Sequence, residues 1–140
     1  MKKVILAFYT IMACAKMAFG QVTISTSDLV GTKWQVLEDY ESHSNEYYEF
    51  TKNAFVWHCY DGDNIPYPYY ISNTKPDEFV LTKVGVIAKG RYFVKRFKNG
   101  EYNCHAIMSF DKTAGRMVLK RVYPINVIGP NTFTFVLMKK

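Results

Sequence analysis

Short runs of alternating apolar and polar residues, each closed by Gly, Pro, Asn or Asp, recur along most of the chain. No window sustains apolar residues at i, i+3, i+4 and i+7, the spacing that a core-facing helix needs. Alternation with a period of two instead predicts strands, because successive side chains of a strand point to opposite faces. Strands are expected at 33–40, 46–51, 54–60, 67–72, 79–83, 91–97, 101–110, 116–123 and 132–139. Phe133, Phe135 and Leu137 share one face of the last, and Trp34, Val36 and Tyr40 share one face of the first. Asn99-Gly100 predicts a type I′ hairpin, Asp61-Gly62 and Ala114-Gly115 mark turns, and Pro76 and Pro130 fall outside the strands. Short connections make successive strands antiparallel neighbours. Eight or nine such strands expose two edges unless the sheet closes, so the expected fold is all-β, an antiparallel up-and-down barrel.

The first twenty residues read as an address. Lys2 and Lys3 precede a broken apolar run too short to span a bilayer, and Ala18-Phe19-Gly20 offers small residues to a peptidase. A cleaved signal peptide (1–20) before Gln21 and one domain (21–140) follow, which predicts a secreted or periplasmic protein. A rival reading takes Ile11-Met12-Ala13-Cys14 as a lipobox with Cys14 acylated. No second apolar run has the length of a membrane helix. Loss of Lys2, Lys3 and Lys16 leaves 15 basic against 12 acidic side chains, too slight an excess for a nucleic-acid footprint. Residues 21–78 hold three Lys against ten Asp/Glu, whereas 79–140 hold twelve Lys/Arg against Glu101 and Asp111. Charges of opposite sign on neighbouring strands account for this split, and a basic face for an acidic partner is the alternative.

Ser27-Asp28-Leu29-Val30-Gly31-Thr32-Lys33-Trp34 runs from a polar turn through a glycine into a tryptophan at the start of the first strand. This resembles the N-terminal signature of lipocalins, and more closely the compact bacterial secreted lipocalin-like domains. Two residues separate Gly31 from Trp34, where the family pattern has one. The resemblance implies that Trp34 closes one barrel end under an arginine from a late strand, Arg121 or Arg116. It also implies a calyx holding a small apolar or amphipathic molecule. Tyr48 and Phe50, Phe55 and Trp57, and Tyr92 with Val94 form same-face pairs suited to its wall, and Met108 adds an adaptable one. The alternative is a barrel filled by these same side chains.

The prolines of Ile65-Pro66-Tyr67-Pro68-Tyr69-Tyr70 stiffen a tyrosine-rich segment, so Tyr67, Tyr69 and Tyr70 are candidates for surface recognition of a protein or glycan. A rigid loop packed over the barrel mouth explains the same residues. In His58-Cys59 and Cys104-His105 the two side chains point to opposite strand faces, which disfavours a metal site or a Cys/His nucleophile. Cys59 and Cys104 fall four strands apart, so a disulfide competes with the barrel. Asp61-Gly62-Asp63-Asn64 lacks the spacing of a calcium loop. Glu38, Asp39 and Glu41 lie beside a solvated turn. No phosphate loop, nucleophile elbow or dinucleotide fingerprint occurs. The expectation is a binding protein rather than an enzyme, with no cofactor or metal.

Overall fold

The computed structural model describes residues 21–37 and 45–139. The expected signal peptide, Cys14, the carboxylates at 38, 39 and 41, and Tyr40 lie outside them. Among the described residues ten strands form: β1 (Ile24–Ser25), β2 (Lys33–Val36), β3 (Tyr47–Phe50), β4 (Ala54–His58), β5 (Asn64–Ser72), β6 (Lys89–Gly90), β7 (Tyr92–Arg96), β8 (Tyr102–Asp111), β9 (Arg116–Tyr123) and β10 (Thr132–Leu137). Eight of them close an antiparallel barrel in the order β10-β2-β3-β4-β5-β7-β8-β9, and β1 pairs with β6 as a separate ribbon. Closure pairs β10 with β2, Phe135 opposite Val36 and Leu137 opposite Trp34, and so removes both edges.

One end of the barrel is plugged. The short helix α1 (Thr26–Leu29) carries a capping box between Ser25 and Asp28, and its Leu29 is buried with Ile24 against Trp34, Met117 and Leu119. Trp34 is fully buried, stands 6.1 Å from the Phe110 ring, and donates from Nε1 to Thr32 Oγ1 at 2.7 Å. The arginine cover implied by the resemblance does not form. Arg121 belongs to the opposite end, because β10 pairs Thr132 with Lys120 but Leu137 with Trp34. That five-residue step is roughly 17 Å of strand. Arg116 is exposed.

The expected strand at 79–83 is instead a 3-10 turn, Leu81–Lys83, inside a segment that crosses the outer face of the barrel. There Phe79, Val80 and Val84 pack on Tyr70, Val94 and Cys104. Val80 N donates to Tyr70 Oη and Tyr102 Oη to the Pro76 carbonyl, which pins the segment to the wall. This wall is therefore apolar on both faces. The hairpin at Asn99-Gly100 is not type I′ either: only Gly100 has positive φ, at +90°. Phe97 N donates to Glu101 O and Gly100 N to Phe97 O, a three-residue loop in which Asn99 Oδ1 accepts from Glu101 N.

Candidate functional site

Register and packing fix which side chains enter the barrel. Tyr48 pairs with Trp57 and Phe50 with Phe55 across β3 and β4, and Phe55 pairs with Tyr67 across β4 and β5. Tyr69 then meets Lys95, and Ile71 meets Phe93, across β5 and β7. Phe50, Phe55, Tyr69 and Phe93 are buried in one core cluster, with ring centroids 4.9 to 5.7 Å apart. Tyr48 stacks on Phe55 at 4.8 Å. Half-buried Trp57 donates from Nε1 to Glu46 Oε1 at 3.1 Å, towards the end opposite the plug.

Two expected wall residues are not brought to this interior. Tyr92 has the phase of Val94 and joins the outer cluster under the 73–88 segment. Met108 is the extra residue of a bulge between Ile107 and Ser109 and belongs to neither core cluster. The proposed recognition loop is strand β5. Tyr69 and Tyr70 are each 1% exposed, the first inside the barrel and the second under Phe79, and half-buried Tyr67 packs against the inner core. Pro66 and Pro68 are tolerated because that part of β5 pairs with β4 alone, pairing with β7 beginning at Tyr69.

The same register carries four polar side chains inward. Lys95 on β7 is opposite Asn103 on β8, and His105, two residues along β8, is opposite Arg121 on β9. Asn103 and His105 are buried. Asn103 Oδ1, His105 Nδ1 and Arg121 Nε are all shielded from solvent and have no hydrogen-bond partner among the described residues. Arg121 is held at the rim, where Nη2 donates to Asn131 Oδ1 at 2.8 Å and to the Pro130 carbonyl at 3.3 Å. The His105 ring stands 6.0 Å from Phe93 and 5.7 Å from Phe133. Lys95 is half-buried as a residue, but its Nζ lies 4.9 Å from the Tyr67 centroid, 5.1 Å from Phe55 and 5.2 Å from Phe97.

Charge follows burial here. Desolvation among the three rings pulls the Lys95 ammonium down to about 8. Desolvation, and then the charges of Lys95 and Arg121, push His105 down to about 3, so its imidazole is neutral at physiological pH. Among the described residues neither Lys95 nor Arg121 pairs with a carboxylate. A neutral imidazole, an amide and two cations thus share one interior patch to which the described residues contribute no paired carboxylate. Each unpartnered buried polar atom costs roughly 1–3 kcal/mol. Three of them weigh heavily in a domain whose total stability is on the order of 5–15 kcal/mol.

His58 stacks on Tyr47 at 4.3 Å and meets Glu49 Oε1 at 2.9 Å, on the strand face opposite Trp57. Cys59 and Cys104 are both free, and Cys104 is buried in the outer cluster, back to back with inward His105. Asp61 Oδ1 accepts from Asp63 N within its own turn. No group of three or more His, Cys, Asp or Glu suited to a metal ion occurs among the described residues. None of their helices is long and apolar enough to cross a membrane.

Comparisons with protein-family models, with curated proteins and with solved structures each give no match. The class rests on geometry: a closed eight-stranded antiparallel barrel, plugged at one end by α1 and carrying a polar patch inside the other half.

Proposed function

We propose that the chain is a secreted or periplasmic, lipocalin-like binding protein that holds a small amphipathic molecule inside its barrel. The observation that carries this reading is the set of unpartnered polar atoms on Asn103, His105 and Arg121. A barrel whose interior served only as a core would be more stable with apolar residues at these positions. The aromatic side chains beside Lys95, Phe55 and Tyr67, and those beside His105, Phe93 and Phe133, supply the apolar part of a binding site. The plug at the Trp34 end favours the opposite end, where the connection from β9 to β10 lies, as the side of entry.

The alternative, a filled barrel that recognises a protein or glycan through its tyrosines and basic late strands, has less support, since Tyr69 and Tyr70 are buried. Native mass spectrometry of the protein purified from its own secretory compartment tests the reading. A small molecule retained in the native mass and lost on denaturation is the expected result. A bare polypeptide that also takes up no apolar probe would overturn it. The denatured mass separately tests whether the chain starts at Gln21 or at an acylated Cys14.

A further inference from the structure

The polar patch also specifies the chemistry of the ligand, an inference that rests on the barrel interior being a binding site. Lys95 pairs with Asn103 across β7 and β8, His105 pairs with Arg121 across β8 and β9, and the charges of both Lys95 and Arg121 act on His105 between them. Lys95 and Arg121 carry N–H donors and no acceptor. Arg121 Nε is a donor without an acceptor, and Lys95 makes no hydrogen bond or ion pair among the described residues. His105 Nδ1 donates in one of its two neutral tautomers, and Asn103 can turn either its oxygen or its NH2 inward. Two cations in one interior patch repel each other unless an anion lies between them.

The rings argue for the rest of the molecule. Tyr67, Phe55 and Phe97 surround the Lys95 ammonium, and Phe93 with Phe133 flanks His105. Rings stabilise a cation through their faces but accept no strong hydrogen bond, so the ammonium keeps its donors for another partner. An anionic head held there leaves its body among aromatic faces. The favoured body is flat and apolar, since planar groups stack on rings with little loss of entropy.

We infer that the barrel binds small planar aromatic or conjugated carboxylates, the carboxylate seated between Lys95 and Arg121 with His105 and Asn103 completing its hydrogen bonds. Arg121 is well placed for selectivity: its guanidinium is fixed at the rim by Asn131 and Pro130, which leaves Nε oriented rather than free to swing. A neutral analogue of the same shape leaves both cations unpaired and forgoes charge-assisted hydrogen bonds.

The test uses three probes of one skeleton, 2-naphthoate, 2-naphthylmethanol and 2-naphthylmethylammonium, titrated calorimetrically into the purified protein at pH 7. The expected result is that naphthoate binds at least tenfold tighter than the alcohol and that the ammonium does not bind. Arg121→Met and Lys95→Met should each weaken naphthoate at least tenfold more than they weaken the alcohol. Equal affinity for acid and alcohol, or variants that weaken both alike, would overturn the anion assignment while leaving the binding barrel standing. Uptake of none of the three removes the assignment together with the reading beneath it. Should a variant fail to fold, the ratio of acid to alcohol in the unaltered protein still decides.

Discussion

His105 and Arg121 face each other directly across β8 and β9 inside the barrel, and among the described residues His105 Nδ1 and Arg121 Nε both lack a hydrogen-bond partner. Groups in this condition reduce stability in the absence of ligand, so their removal should raise it. His105→Leu fills a similar volume and abolishes one orphaned atom. Its midpoint of denaturation should rise by the equivalent of roughly 1–3 kcal/mol in ligand-free protein, at the expense of binding. A fall of that size, measured by urea unfolding, would mean that ordered water satisfies the ring.

Acid should expose the same histidine. In the unfolded chain it titrates near 6.5, and in the fold it is pushed down to about 3 by burial and by Lys95 and Arg121. The unfolded chain therefore takes the proton first, and stability falls as pH drops from 6.5 towards 3, with nothing lost from this group above that window. Between pH 7 and pH 4 the unaltered protein should lose roughly 3 kcal/mol more than His105→Leu does. Parallel losses in the two proteins, by urea titration at both pH values, would exclude a buried neutral His105.

Lys95 gives the opposite signal on the alkaline side. With its ammonium lowered to about 8, much of it is uncharged at pH 9, and an anion seated beside it raises its proton affinity again. Binding of 2-naphthoate at pH 9 should take up a proton, seen as a dependence of the calorimetric heat on the ionisation enthalpy of the buffer. Lys95→Met should abolish that dependence.

The faces of β2, β3, β4 and β10 were legible because one side of each alternates cleanly, as Phe133, Phe135 and Leu137 do. On β7 that signal is lost. Its outer residues Tyr92 and Val94 lie beneath the 73–88 segment and are as apolar as inner Phe93, so alternation gives no preference. The polar patch was missed because a charge on a strand is expected to face water. Its signal was phase: Lys95 shares a face with Phe93, His105 with Ile107, and Arg121 with Leu119 and Met117. A charge in step with buried apolar neighbours is inward or at the rim. Closure of the barrel followed from strand count and short connections. The tyrosines were misplaced because Pro66 and Pro68 read as a loop, when a strand with one side unpaired accommodates both.

Two contacts at the plugged end predict structural losses that spare the binding chemistry. Trp34 Nε1 has Thr32 Oγ1 as its acceptor, and Thr32→Val should cost about 1–3 kcal/mol by leaving that donor buried alone. Gly90 is pressed against β5, where a Cβ would stand 2.3 Å from the Ser72 carbonyl carbon and oxygen. Gly90→Ala should cost at least about 1–3 kcal/mol through backbone displacement. Urea unfolding checks both, and an unchanged midpoint in either variant would contradict this packing.

The most direct measurement is a crystal structure of the protein purified from its own compartment without added ligand. The account predicts a non-protein molecule inside the barrel, its anionic group in contact with Lys95 Nζ, Arg121 Nε and His105. Side chains closed over this region, or ordered water as the sole partner of Asn103, His105 and Arg121, would contradict it.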